Sequence, residues 1–318
     1  MTAASRTALT SSALPDGLAA CPLCGASAHR DLTTVHDPIS LQPFSVYRCA
    51  ACRLAITHPK PKDLAPFYAT RYYGNRHSLT SRFRIWRRMR VVNRTCANTN
   101  RSLLDVGCGD AQFAVAARRA GWSVTATEMN RTAAEAQGIR VFASLQDVTG
   151  RYRCITMWHV LEHIPDPRAA IMRVRQLIEE DGELLLSVPN YSSWQSMLFG
   201  KHWFHLDVPR HCHHFDRTSL RALLEANAFI IDSEYQETEY DWFGWIQSAI
   251  NPFTSTPSVV FDWLIGNPRR VSKTELFGSL LAAALLAPAA FLLTVASRLA
   301  RRSGTIVIAA RPGTNHVV

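Results

Sequence analysis

The chain has no internal repeat and no long low-complexity tract, which excludes solenoid-like repeats and compositionally biased linkers. Its first 16 residues, rich in Ala, Ser and Thr, lack the apolar core of a signal peptide, and we expect residues 1–16 to be a flexible tail. With no export signal, the eight cysteines are expected to be reduced thiols of a cytoplasmic protein, which favours metal binding over disulfides. Acidic side chains are outnumbered, 25 Asp and Glu against 35 Lys and Arg, for a net charge of +10. Hydrophobic residues are not scarce. At 47% of 318 residues they can bury a sizeable core, so disorder is expected only at the ends.

Four of the cysteines form two pairs. Cys21, Cys24, Cys49 and Cys52 follow the spacing Cys-x2-Cys-x24-Cys-x2-Cys, which fits a closed four-thiolate zinc ribbon. Four protein ligands leave no open coordination position, so this Zn2+ is expected to fold residues 17–62 and not to catalyse. The prolines of "THPKPK" mark the end of that module. Six arginines follow in "SRFRIWRRMRVVNR", residues 81–94, with Phe83, Trp86, Met89 and Val92 at near-helical spacing. The helix reads as a solvated basic face packed by one apolar stripe, or as a surface that attracts an anion.

From about residue 64 the texture changes to short apolar runs alternating with helical stretches. "RSLLDVGCG", "SVTATE", "VFAS", "CITMWHV", "GELLLSVPN", "FIIDSEY" and "GTIVIAARP" are strand candidates, and "PRAAIMRVRQLIEE" is one of the helices between them. This alternation predicts an α/β fold built on a doubly wound, parallel sheet. In "LLDVGCGDAQF", residues 103–113, glycines follow a buried strand and let the backbone approach a ligand. Glu128 closes the next strand, 23 residues after Asp105, where an acid can accept both hydroxyls of a ribose. The sixth position of the loop is Gln112, so the Gly-x-Gly-x-x-Gly of nicotinamide dehydrogenases is absent.

On Asp105, Val106, Gly107, Cys108 and Gly109 the chain resembles the class I S-adenosylmethionine-dependent methyltransferases, with Ala111 replacing their third glycine. The resemblance covers about residues 64–312 and implies a seven-stranded Rossmann-like sheet. It implies that Asp105, Gly107, Cys108 and Gly109 hold S-adenosylmethionine, that Glu128 binds its ribose and that Met129 packs on its adenine. "MWHVLEHIPDP", residues 157–167, is similar to a motif of ubiquinone-type and natural-product or sugar methyltransferases. His159 is then expected near the cofactor, with Glu162 and His163 near the substrate. The (Asp/Asn)-Pro-Pro-(Tyr/Phe) of exocyclic-amine methyltransferases is missing at Trp158–Leu161, which argues against N6-adenine chemistry.

"HWFHLDVPRHCHHF", residues 202–215, holds five histidines without a fixed metal-ligand spacing. The resemblance implies instead a loop that closes over the acceptor, as in sugar methyltransferases that also begin with a zinc domain. Methyl transfer needs alignment of donor and acceptor and removal of the acceptor's proton. His211 is our first candidate for that base and His163 the second, with Arg210, His214, Glu162 and Tyr72 on the substrate side; Tyr72 and Tyr73 would form an aromatic lid. Residues 276–297 carry no charge over 22 positions, long enough to cross a membrane. If "GTIVIAARP" returns to the sheet, a single crossing would strand it on the wrong side. The apolar insertion 240–303 is therefore expected to lie on a membrane surface, to form a shallow re-entrant hairpin or to be buried against the domain or a second subunit. Arg298, Arg301 and Arg302 would suit peripheral contact with anionic lipid on the cytoplasmic face. The expected function is methyl transfer to a small or lipid-linked acceptor such as a sugar, a quinone-like ring or a natural product. The alternatives are a zinc-ribbon RNA methyltransferase and a catalytically silent binding protein; nucleic acid is disfavoured because the arginines cluster in one helix.

Overall fold

The computed structural model describes residues 20–37, 40–61, 63–67, 79–96, 100–266 and 271–313. The tail over residues 1–16 and the tyrosines Tyr72 and Tyr73 lie outside the described residues.

The elements in chain order are β1 (Ala28–His36), β2 (Pro43–Cys49), β3 (Ala55–His58), α1 (Leu79–Thr95), β4 (Ser102–Val106), α2 (Gln112–Arg119), β5 (Ser123–Thr127), α3 (Thr132–Ala136), β6 (Arg140–Phe142), β7 (Tyr152–Trp158), α4 (Pro167–Leu177), β8 (Ile178–Pro189), α5 (Trp194–Phe199), β9 (His213–His214), α6 (Arg217–Glu225), β10 (Phe229–Tyr235), α7 (Thr238–Ile250), α8 (Val259–Leu264), α9 (Lys273–Leu299) and β11 (Thr305–Pro312). The seven-stranded sheet has the order β10-β11-β8-β7-β4-β5-β6. Strands β4 to β8 pair in parallel, whereas β11 runs antiparallel to both β8 and β10. The sheet is thus mixed and not wholly parallel. The central strands are covered on both faces, which is why they read as unbroken apolar runs: Leu103, Leu104, Ile155, Met157, Leu184, Leu185 and Leu186 are all buried. Edge strand β10 alternates instead, because it is covered on one face.

Local signals set the helix starts. Asp166 caps α4 by accepting the Ala169 amide at 2.9 Å, with Pro167 in the first turn. Asp216 and Ser219 form a reciprocal capping box on α6. In α1, Met89 and Val92 pack against Leu103, Phe113 and Trp122, but Phe83 and Trp86 stack on each other and stay exposed. The apolar stripe expected along the whole helix is therefore buried only in its C-terminal half.

Strands β1, β2 and β3 form a second sheet, and its fourth strand is β9, from the histidine-rich loop. Cys21, Tyr47, Leu54 and Ile56 share one buried cluster with Phe215, Leu220 and the core of the large sheet. Arg53 pairs with Asp216 at 2.8 Å, and the Lys60 ammonium donates to the Pro165 carbonyl at 2.8 Å. The N-terminal module is packed into the domain it precedes.

Helix α9 lies across α7 and α8 and is long and apolar enough to cross a membrane by length and composition, yet only 11% of its apolar window is buried. Small residues line its inner face, where Ser279, Ala290, Thr294 and Ser297 are buried. Phe277, Leu281, Leu285, Phe291, Leu292, Val295 and Leu299 form one exposed outer stripe. Strand β11 does return to the sheet after it, pairing residue by residue with β8 from Thr305 to Ala310.

Candidate functional site

The carboxyl ends of β4, β5 and β7 meet at one point, as parallel sheets require for a ligand crevice. Gly107 and Gly109 both have left-handed backbones, with φ of 68° and 56°. A Cβ on Gly107 would lie 2.6 Å from Val160 Cγ2, so the loop after β4 and the motif after β7 interlock at a position only glycine fits. A Cβ on Gly109 would meet nothing within 4 Å among the described residues, which leave that side of the backbone open. Ala111, in the place of the third glycine, is also left-handed at φ 60°. The residue that replaces the third glycine is thus held in a conformation that glycine adopts without strain.

Glu128, at the end of β5, reaches back and accepts the Gly109 amide on Oε2 at 2.9 Å. The Thr127 hydroxyl accepts the Gly107 amide at 3.2 Å, and the Cys108 amide donates to the Thr127 carbonyl at 3.0 Å. Asp105 is buried at the base of the loop and accepts the Thr156 hydroxyl at 2.7 Å. Burial raises its carboxyl pKa to about 7, with the Thr156 hydrogen bond opposing. Met129 follows Glu128 and is 78% exposed. The glycine cradle, the open face above Gly109 and the acid on the neighbouring strand fit a nucleoside-bearing cofactor such as S-adenosylmethionine.

Beyond Val160 lies a buried polar cluster. His159 has a left-handed backbone, φ 56°, which in a non-glycine residue holds strain and fixes where the ring points. Its Nε2 is 2.9 Å from Glu237 Oε2 and 3.2 Å from the Ser187 hydroxyl, and its Nδ1 is 3.4 Å from Glu162 Oε1. Burial disfavours the charged ring, but the Glu162 and Glu237 carboxylates outweigh it and raise its pKa to about 10. Arg88 of α1 completes the chain, 3.3 Å from Glu237 and stacked over Trp158 at 4.7 Å. Glu162 is 1% exposed, and neither of its oxygens has a hydrogen-bond partner among the described residues. His211 Nε2 is 4.0 Å from Glu162, and the His163 and His211 rings meet edge to face at 4.6 Å. His163 is held neutral, its pKa lowered to about 4 by burial and by the neighbouring His211.

Arg210 does not offer its charge to this space. It is 1% exposed, and its guanidinium is shared by Asp37 at 2.8 Å, Asp207 and the Phe67 carbonyl at 3.1 Å. We assign it a positioning role in place of the acceptor contact expected from the sequence. His214 is likewise buried, its Nε2 2.9 Å from the Thr57 hydroxyl, which also donates to the His211 carbonyl at 2.7 Å. Asp37, Thr57, Arg88, Ser187 and Glu237 support the site and were not anticipated. Glu237, two residues after β10, had the one available signal: an acid near the carboxyl end of a strand.

In the N-terminal module the four sulfurs of Cys21, Cys24, Cys49 and Cys52 lie within 4.8 Å of one another. Cys21 and Cys52 are 3.5 Å apart and Cys24 and Cys49 3.4 Å, close to the edges of a tetrahedron around a zinc ion.

A family match agrees with this geometry. Residues 79–234 match a family described as "Methyltransferase domain". A ubiquinone biosynthesis O-methyltransferase of Salmonella paratyphi A is 27% identical over 139 residues, 39% of this chain and 57% of that protein. One from Erwinia tasmaniensis is 30% identical over 129 residues, 36% and 53% of the two chains. The chain therefore spans a little over half the length of these curated relatives. Among solved structures, the [4+2]-cyclase SpnF aligns with a TM-score of 0.48 at 16% identity, over 76% of this chain and 84% of the other.

Proposed function

We propose that this chain, which carries a methyltransferase domain over residues 79–234, transfers a methyl group from S-adenosylmethionine to a small or lipid-linked acceptor. One observation carries the reading: the Gly107–Gly109 cradle, tied to Glu128, opens beside a buried cluster of Glu162, His163 and His211. Asp105, Gly107, Cys108, Gly109 and Glu128 would hold the cofactor, with Met129 against its base. When bound, S-adenosylmethionine would supply a sulfonium methyl group, whose carbon bonds to an electron pair of the acceptor while the S–C pair stays on the departing thioether sulfur. The chain's part is to align, to exclude water and to take the acceptor's proton. His211 donates its Nδ1–H to the His205 carbonyl at 2.9 Å, which leaves Nε2 as the basic nitrogen of the neutral ring. His163 is fixed in the same way, its Nδ1 3.0 Å from the Arg210 carbonyl. The strained backbone of His159 and its two carboxylate partners set the wall between cofactor and acceptor. The four cysteines would hold one structural Zn2+.

The exposed stripe of α9 favours an acceptor met at a membrane surface. An open apolar groove of about 410 Å³, lined by Trp194, Met197, Leu198, Trp245 and Leu293 of α9, suits an acyl or prenyl chain. Arg298, Arg301 and Arg302 flank it as contacts for anionic head groups. Thermal stabilisation by S-adenosylhomocysteine tests the first half of the proposal. Labelled S-adenosylmethionine with a membrane extract tests the second, and label entering RNA alone would overturn it.

A further inference from the structure

We propose that Glu162, His163 and His211 form a second metal site, distinct from the four-thiolate module, that takes one first-row transition-metal dication. Their ligand atoms lie within 4.8 Å of one another, and side-chain rotation can bring them to the roughly 3 Å separation that ~2.1 Å metal–ligand bonds require.

Three features mark this as more than a chance cluster. The first is the carboxylate. A buried Glu normally has its oxygens saturated by donors, but Glu162 is 1% exposed and neither oxygen receives a well-directed hydrogen bond from a described donor. His159 Nδ1 pairs with Oε1 at 3.4 Å, which leaves Oε2 without a partner among the described residues. The second is the tautomer. Both histidines give Nδ1–H to backbone carbonyls, those of Arg210 and His205, so Nε2 is the lone-pair nitrogen of each neutral ring. This is the outer arrangement that orients metal-ligating imidazoles. The third is the origin of the ligands. Glu162 and His163 sit on one short turn after β7, whereas His211 arrives from the loop that β9 anchors to the N-terminal sheet. A cation would therefore join two parts of the chain that the sheet alone does not connect.

The donor set also indicates the occupant. Two imidazoles and one carboxylate favour Mn2+, Fe2+, Co2+ or Zn2+ over Mg2+, and three protein ligands leave positions open, unlike the closed set of four thiolates. This inference rests on the methyltransferase reading and deepens it, naming an acceptor with two adjacent oxygen donors. Such an acceptor would fill the open positions, and His211 would then be a ligand and not the base. The acceptor's O–H proton leaves to water, its oxygen pair bonds to the methyl carbon, and the S–C pair remains on sulfur as a neutral thioether.

The test uses the full-length protein carrying one zinc per chain, which the four thiolates take, titrated with Mn2+, bound and free ion being separated by electron paramagnetic resonance. Mn2+ avoids the thiolate site, which prefers softer ions. We expect one bound Mn2+ per chain, with affinity falling at least about ten-fold in Glu162→Gln and in His211→Gln. S-adenosylhomocysteine binding, measured on the same samples, reports that the variants are folded. If wild-type protein binds S-adenosylhomocysteine but neither Mn2+ nor Co2+, or if Glu162→Gln binds Mn2+ as tightly as wild type, the metal site is overturned and the methyltransferase reading stands. If Mn2+ binds through Glu162 but S-adenosylhomocysteine does not bind, the metal site stands and the methyltransferase reading falls.

Discussion

Thr57→Val should uncouple the N-terminal module from the histidine loop. Thr57 is 2% exposed on β3, and its hydroxyl donates its one proton to the His211 carbonyl at 2.7 Å. The same oxygen, 2.9 Å from His214 Nε2, must then accept an Nε2–H from that ring. Burial holds the His214 pKa well below the usual imidazole range, so the ring is neutral and can supply that single proton. Valine keeps the shape of threonine and removes both bonds, leaving a buried acceptor and a buried donor unsatisfied. Each such group costs about 1–3 kcal/mol. The Thr57 amide still donates to the Cys212 carbonyl at 3.0 Å, so the strand pairing survives and the total should fall near 2–3 kcal/mol. Urea denaturation at fixed zinc measures that loss. The functional signature should be separate: kcat falls roughly 10- to 100-fold because the His211 ring is no longer held in register, while S-adenosylmethionine binding is unchanged. Thr57→Ser, which restores the hydroxyl, should recover most of both. A Thr57→Val protein within about 0.5 kcal/mol of wild type and with unaltered kcat would refute the claim that this strand positions the loop.

Gly107→Ala places a methyl group 2.6 Å from Val160 Cγ2 on a backbone at φ 68°, and S-adenosylhomocysteine affinity should fall at least about ten-fold; adding Val160→Ala should restore only part of it, since the backbone strain remains. Glu128→Ala removes the acid that ties Gly109 to β5, and calorimetry should show binding weaker by roughly 1.5–3 kcal/mol. Asp105 is raised from 3.8 to about 7, chiefly by burial, so the folded state favours its neutral acid. Its contribution to stability is full below pH 3.8 and is lost as pH rises to about 7, and Asp105→Asn should flatten the urea-midpoint profile over that window. Asp at Leu285 and Leu292 of α9, 72% and 68% exposed, should abolish flotation with anionic liposomes without lowering the melting temperature; unchanged flotation would remove α9 from the membrane contact.

How much of this was legible in the sequence depended on how far apart the cooperating residues lie. Strands buried on both faces announce themselves as apolar runs, as β4, β7, β8 and β11 do, whereas β10 at the edge alternates. The cofactor loop is local: Gly107, Gly109 and the acid at Glu128 belong to two successive strand ends, and chain order places them together. The direction of β11 was not legible, because an apolar octet pairs equally well either way and only the return path after α9 makes it antiparallel. The split of the α1 stripe was equally hidden, since periodicity says which residues share a face but not where the underlying sheet ends.

The residues that convert the loop histidines into a site are joined by contacts across as many as 173 positions, and no spacing rule reaches that far. Arg210 shows the consequence. As a lone arginine in a polar loop it suggests an anionic ligand, but Asp37, 173 residues away, lies 2.8 Å from it and both are buried. Removing either partner of such a pair strands the other's charge, at about 3–5 kcal/mol. The two-residue strand β9 makes the same point in backbone form, since His213 and His214 look like loop until β3 is there to pair them. The cysteine pairs therefore fold more than their own module. By holding β2 and β3 in place they fix Thr57, and Thr57 in turn fixes the carbonyl of His211. If the four thiolates hold zinc as proposed, chelating it should lower kcat before it lowers cofactor affinity, and the reverse order would show that the module and the histidine loop are independent.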